Sequence, residues 1–155
     1  MFLYDFFVWL GETAIGRFLN ESTAAFAATE SLHIVALSLI GGVILVTHLR
    51  ALGVTLKPIG AGEVSRTLQP VAYLSLVVVA ISGLLLVAAG PFKYYTNPLF
   101  PVKLALLVAA LISQRWLHRL VTRTDASPSV VRAVAASSLV LWTGVVITGR
   151  WLGLI

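Results

Sequence analysis

The segment VAYLSLVVVAISGLLLVAA, residues 71–89, has no charged side chain and is long enough to cross a membrane as one helix. Crossing about 30 Å of hydrocarbon takes roughly 20 mostly apolar residues in helical conformation. Three further stretches have comparable length and hydrophobicity, at about residues 23–46, 99–116 and 130–147. The sequence therefore predicts four membrane-spanning helices.

The composition agrees with this prediction, because 59% of the 155 residues are hydrophobic and only 11% are charged. Soluble domains carry about 25% charged residues. Short loops between the predicted spans make successive helices antiparallel neighbours. We therefore predict an all-α fold, a four-helix transmembrane bundle that forms a single domain over residues 1–155 in contact with the lipid bilayer.

Residues 2–19 precede the first predicted span and show a different pattern. Apolar residues recur there at helical spacing, at Leu3, Phe7, Leu10, Ala14 and Phe18. Asp5 and Glu12 lie on another face of the same helix. This pattern predicts an interfacial amphipathic helix that lies on the membrane, with a short fifth span as the alternative.

The distribution of basic residues predicts the orientation. Of the 11 lysine and arginine residues, most lie in or beside the loops after the first and third spans. These are Arg50, Lys57, Arg66, Arg115, Arg119, Arg123 and Arg132. Basic loops face the cytoplasm, so we expect a multi-pass protein of the bacterial cytoplasmic (inner) membrane with both termini outside. The basic residues form no single patch, so we expect no nucleic-acid partner.

A few polar residues lie at the outer ends of the predicted spans. An ionised group at the bilayer centre costs roughly 2.5 to 3.5 kcal/mol on insertion scales, so such residues commonly mark sites. We call five of them the Glu30 cluster: Glu30, His33, Asn97, Lys103 and Arg150. Together they predict a site for a small anion, a metal ion or a proton. Alternatively, Lys103 and Arg150 extend to the lipid headgroups.

The three histidines suggest a cofactor. His48 and His118 lie at similar depth on two spans that run in the same direction, and two imidazoles across a bundle can hold the iron of haem b. His33 lies fifteen residues before His48, about 22 Å along a helix, so it could bind haem only with a different ligand. The alternative is that His48 and His118 contact cytoplasmic headgroups. The absence of cysteine excludes thiolate metal sites and covalently attached haem.

Several short motifs also carry a family resemblance. They are Glu30-Ser31-Leu32-His33, Leu49-Arg50-Ala51-Leu52-Gly53, Asn97-Pro98-Leu99-Phe100 with Lys103, and Gly149-Arg150-Trp151. Together they resemble a family of uncharacterised bacterial four-helix membrane proteins, distantly similar in layout to copper-resistance type and b-type cytochrome membrane domains. The resemblance covers nearly the whole chain and implies a role for the Glu30 cluster. That family usually carries an acidic residue at the position of His48. The resemblance therefore does not favour haem binding by His48 and His118 as a property of the whole family.

Three functions follow as hypotheses. The first is electron transport by a protein that binds haem b and meets a redox partner. The second is a module that binds or transports a small ligand, a metal ion or a proton through the Glu30 cluster. The third is a structural subunit of a larger membrane complex or a homo-oligomer, joined through small-residue helix faces. The sequence leaves open whether the protein is an enzyme.

Overall fold

The computed structural model describes residues 2–123 and 126–154, which form seven helices and no strand. The helices are α1 (Phe2–Glu12), α2 (Ala14–Glu21), α3 (Thr23–Ala51), α4 (Ala61–Ala89), α5 (Pro91–Tyr95), α6 (Leu99–Val121) and α7 (Pro128–Leu154). The predicted all-α fold is confirmed.

Four of these helices, α3, α4, α6 and α7, are long and apolar enough to cross a membrane. Their outward faces carry large apolar side chains, such as Leu74, Ile112 and Val140, which are 68%, 65% and 72% exposed. Water would disfavour that much exposed apolar surface, whereas lipid accepts it. The chain is therefore a multi-pass integral membrane protein.

The helices extend beyond the predicted spans, most of all α4. This helix begins at Ala61, well before the predicted start at residue 71. Residues 61–70 were not predicted as part of the span because they are amphipathic, with Gly62 and Ser65 buried and Glu63 exposed. Pro70 lies inside α4, where it has no N–H to donate to the preceding turn.

The four long helices form two closely packed pairs, α3 with α4 and α6 with α7. Helix α3 also contacts α7, whereas α4 and α6 meet sparsely. Their contact lies near what we call the loop end, the end of the bundle at residues 52–60. A Cβ atom at Gly62 would lie only 2.5 Å from the carbonyl oxygen of Val121, so glycine permits this approach.

The centre of the bundle is filled by apolar side chains from α3, α6 and α7. The buried members of this cluster are Ile40, Ile44, Ala110, Trp142 and Val145. A second cluster, Leu117, Val134 and Ala135, joins α6 to α7 nearer the loop end. Helix α4 contributes only partly buried residues to the first cluster, and it contacts α6 much less than it contacts α3.

The predicted interfacial helix is two helices that pack on the opposite end of the bundle, which we call the capped end. The chain breaks at Thr13, whose Oγ1 accepts a hydrogen bond from the Gly16 N–H at 3.1 Å. A Cβ atom at Gly16 would lie 3.0 Å from the Ala88 carbonyl oxygen, so α2 sits tightly on α4. Helix α1 is about 16 Å long at 1.5 Å per residue, too short for a fifth span.

Candidate functional site

Each of the three histidines forms a hydrogen bond with a serine on another helix. The pairs are His33 Nδ1 with Ser82 Oγ at 2.8 Å, His48 Nε2 with Ser138 Oγ at 2.9 Å, and His118 Nδ1 with Ser65 Oγ at 2.8 Å. They join α3 to α4, α3 to α7, and α6 to α4. Such interhelical bonds hold helices together in lipid, where no water competes for the polar groups.

His48 is fully buried, and both of its ring nitrogens are used. The Nδ1 atom lies 2.7 Å from the carbonyl oxygen of Ile44, which can only accept, so Nδ1 carries the proton. The Nε2 atom then accepts from the Ser138 hydroxyl. Ser113 in turn donates to Ser138 over 2.9 Å. His48 is thus the centre of a buried hydrogen-bond chain across three helices.

This chain bears on the haem b prediction. His48 could bind iron only by giving up a bond to Ile44 or Ser138, and the cavity that His118 lines does not include His48. The contacts therefore supply no facing pair of histidine ligands, and haem binding stays a prediction. Across residues 2–123 and 126–154, no group of three histidine, aspartate or glutamate side chains is placed to hold a metal ion.

The Glu30 cluster is brought together only in part. His33 is half-buried against Ser82, and the charges of Glu30 and Lys103 both reach its ring. The ammonium group of Lys103 lies beside Gly149 on α7. Glu30 itself is exposed, so the cluster is an open arrangement rather than an enclosed site.

The other two members of the cluster have different positions. Asn97 begins α6, since its Oδ1 atom accepts a hydrogen bond from the N–H of Leu99 at 3.0 Å. Arg150 is exposed near the end of α7. Neither side chain is a hydrogen-bond partner of His33 in the described part of the chain, and ligand binding by the cluster stays a prediction.

Tyr94 lies in α5, outside the spans and at the capped end of the bundle, and the charge of Glu30 acts on it. Burial raises the pKa of its phenol above the ordinary value, and the negative charge of Glu30 raises it further. Both effects disfavour the phenolate. Tyr94 therefore acts as a neutral hydrogen-bonding group near Glu30.

A cavity of about 260 Å³ lies between α4 and α6. It lies where α4 and α6 separate beyond their contact at Gly62, and side chains of α3 form its inner wall. Its apolar lining consists of Ile40, Val43, Ile44, Ala72, Leu76 and Leu111, and its polar lining of Thr47, Ser65, Gln69, Tyr73, Gln114, Arg115, His118 and Trp142. We call it the α4–α6 cavity.

A chain of hydrogen bonds runs along the polar part of the α4–α6 cavity. The Nε2 atom of Gln69 lies 3.3 Å from His118 Nε2 and 3.2 Å from the Tyr73 hydroxyl. Arg115 Nη1 donates to the same hydroxyl over 3.3 Å. The Tyr73 oxygen therefore accepts two bonds, and its own proton is left to donate. This edge of the cavity is rich in donors.

Two more polar atoms of the cavity residues are buried and have no hydrogen-bond partner within the described part of the chain. They are the Nε1 atom of Trp142, a donor, and the Oε1 atom of Gln114, an acceptor. Trp142 is only 8% exposed. An unpaired buried polar group costs about 1 to 3 kcal/mol, and a molecule in the cavity could pair with either atom only if its side chain moved.

The α4–α6 cavity was not predicted from the sequence. Gln69 and Gln114 lie at or beyond the ends of predicted spans and resemble ordinary interfacial residues, and Trp142 resembles any apolar residue of the fourth span. The signal that could have revealed them is two glutamines and a histidine on facing helices. That signal needs the register of α4 against α6, which depends on packing.

A second groove lies at the loop end and is more open. Three arginines line it, Arg50, Arg123 and Arg132. Arg50 Nε donates to the Ile59 carbonyl oxygen, and Arg50 Nη2 donates to that of Lys57. At least one of these cations therefore holds the α3–α4 loop in place.

Comparison with known proteins adds a family but no activity. No curated protein and no solved structure matches the chain. The likeness to copper-resistance and cytochrome domains, and a bacterial source, stay predictions. Residues 6–155 match a family of unknown function (DUF6644), and the chain belongs to that family.

Proposed function

We propose that the protein binds a small amphipathic molecule dissolved in the membrane, and that the α4–α6 cavity is the binding site. The observation that carries this proposal is one cavity in which an apolar wall from α3 faces the hydrogen-bonded side chains of Gln69, Tyr73 and Arg115. Ligand sites are typically apolar concavities with a few convergent polar groups.

The packing of the bundle supports access from lipid. Helices α4 and α6 touch near the loop end and make few other contacts, so the gap between them faces the surrounding bilayer. The volume of about 260 Å³ is near the lower limit of about 300 Å³ for small-molecule sites. A ligand larger than the cavity can leave its apolar part in the gap, where lipid solvates it.

The distribution of basic residues supports an orientation in which the site lies toward the cytoplasmic side of the membrane. Arg115 and His118 lie toward the loop end, where most of the basic residues gather. Under the positive-inside rule the ligand would enter from the cytoplasmic leaflet of the inner membrane, and both termini would lie outside. Reporter fusions at the C-terminus test this orientation, and a cytoplasmic signal would contradict it.

A cavity-filling substitution tests the function. Ala72 lines the cavity and Ala80, two turns along the same helix, is exposed, so Ala72→Phe and Ala80→Phe add the same volume in different places. We expect native mass spectrometry of the purified wild-type protein to show a bound small molecule that Ala80→Phe keeps and Ala72→Phe loses.

Two results would contradict the proposed function. If the bound molecule is as abundant in Ala72→Phe as in Ala80→Phe, it binds elsewhere. If the wild-type protein, extracted from its own membrane in a mild detergent, carries no small molecule at any detergent concentration that keeps it folded, the proposal also fails.

A further inference from the structure

We propose that the ligand of the α4–α6 cavity is a single-chain fatty acid whose carboxylate is held by Arg115 and Tyr73. This inference rests on the proposed function and names its ligand class. It follows from the charge of the cavity lining, from the kinds of hydrogen-bonding atoms left free there, and from the position of the apolar lining relative to Arg115.

The charge of the cavity favours an anion. Its lining contains the cation of Arg115 and no aspartate or glutamate. A second cation, Arg66, lies close enough for its charge to act on His118 together with that of Arg115. Charge-assisted hydrogen bonds from arginine to carboxylate are about twice as strong as neutral ones. A neutral head such as a quinone ring can accept a hydrogen bond from Arg115 but gains less, because it carries no charge of its own.

The free hydrogen-bonding atoms also match a carboxylate. The Tyr73 hydroxyl proton and the Arg115 guanidinium are donors, because Tyr73 already accepts from both Gln69 and Arg115. Two carboxylate oxygens can accept several such bonds, whereas an alcohol or an ester offers fewer acceptors and no charge.

The gap between α4 and α6 favours one hydrocarbon chain. The apolar lining runs from Leu111 toward Ile40 and Ile44, deeper in the bundle than Arg115. Leu111 lies one helical turn, about 6 Å, from Arg115 on α6. A single chain that starts at Arg115 therefore passes directly into the apolar part. The cavity of about 260 Å³ is too small to enclose two hydrocarbon chains, so any part of a ligand beyond one chain would lie in the surrounding lipid.

Binding of tritium-labelled oleate to the protein in nanodiscs of zwitterionic lipid tests the inference, with empty nanodiscs subtracted. Unlabelled oleate should displace the label, and methyl oleate should compete at least tenfold less well because it lacks the charge. Arg115→Gln should weaken oleate binding about tenfold or more, whereas Arg115→Lys, which keeps the charge, should lose less. Arg119 on the same helix provides the control, because it is exposed like Arg115 but does not line the cavity, so Arg119→Gln should change nothing.

The outcomes separate the inference from the function beneath it. If methyl oleate or a short-chain quinone competes as well as oleate, and Ala72→Phe abolishes the binding of both, the fatty-acid assignment is wrong and the cavity remains the site. If Arg115→Gln and Arg119→Gln weaken oleate binding equally, the assignment is also wrong. If Ala72→Phe leaves oleate binding intact, both the assignment and the cavity function fail.

Discussion

The Nε2 atom of His48 lies 2.9 Å from the Oγ atom of Ser138, in the interior of the bundle, with no exposed surface on either side chain. This bond joins α3 to α7, and the Ser113 hydroxyl extends it to α6. The histidine thus acts first as a structural element of the bundle.

Ser138→Ala should therefore destabilise the protein, because it leaves the buried Nε2 atom of His48 without a donor. The cost of such a change is about 1 to 2 kcal/mol in a membrane bundle. Unfolding in mixed detergent micelles measures it. Ser137 is the matched control, since it is exposed and bonds only within its own helix, so Ser137→Ala should change stability by much less. Equal effects of the two substitutions would contradict the role given to this bond.

The close approach of α4 and α6 predicts a second stability effect. A Cβ atom at Gly62 would lie 2.5 Å from the Val121 carbonyl oxygen, so Gly62→Ala should force the helices apart at a cost of about 1 to 3 kcal/mol. Gly42→Ala is the control, because nothing lies within 4 Å of that position and alanine favours a helix. Thermal unfolding of both variants measures the two effects. If Gly62→Ala is as stable as the wild type, α4 and α6 do not approach as closely as the 2.5 Å distance indicates.

The histidine contacts make a prediction about haem. If His48 and His118 bind haem b, protein produced in haem-supplemented cells should show a stoichiometric Soret band, and His48 must then give up a hydrogen bond to Ile44 or Ser138. Absorbance and iron analysis measure this. A Soret band that disappears in both His48→Ala and His118→Ala would support the haem pair, and the absence of a band from the wild-type protein would contradict it.

Tyr94 predicts an alkaline titration. Its phenol has a pKa raised by burial and by the charge of Glu30. Because the folded pKa lies above the unfolded value of about 10, this contribution to stability is present below pH 10 and is lost as the pH rises through the folded pKa. Ultraviolet difference spectra of wild type and Tyr94→Phe isolate the residue. Glu30→Gln should lower this pKa, and an unchanged pKa would show that Glu30 does not act on it.

The apolar segments predicted most of the fold, because hydrocarbon accepts few other sequences over so many residues. Residues 71–89 lie wholly within α4, but its amphipathic start at residues 61–70 gave no such signal and was missed. The pattern of residues 2–19 predicted helix at the right place, yet not the break at Thr13, which depends on a local side-chain bond.

The candidate site was less predictable, for a physical reason. Sequence pattern shows that His33, His48 and His118 are unusual in apolar spans, but not which serine lies opposite each. That pairing depends on the register and rotation of neighbouring helices. The α4–α6 cavity depends likewise on where two helices separate, which no single segment encodes.

Fluorescence quenching of Trp142 is the most direct test of the α4–α6 cavity. Trp9, Trp116 and Trp151 are exposed and can be changed to phenylalanine, which leaves Trp142 as the single tryptophan. We predict that dibrominated stearate, added to this protein in nanodiscs, quenches Trp142 saturably, and that Ala72→Phe abolishes the saturable part. Quenching that rises without saturation, or that Ala72→Phe leaves unchanged, would contradict the claim that this cavity binds a ligand.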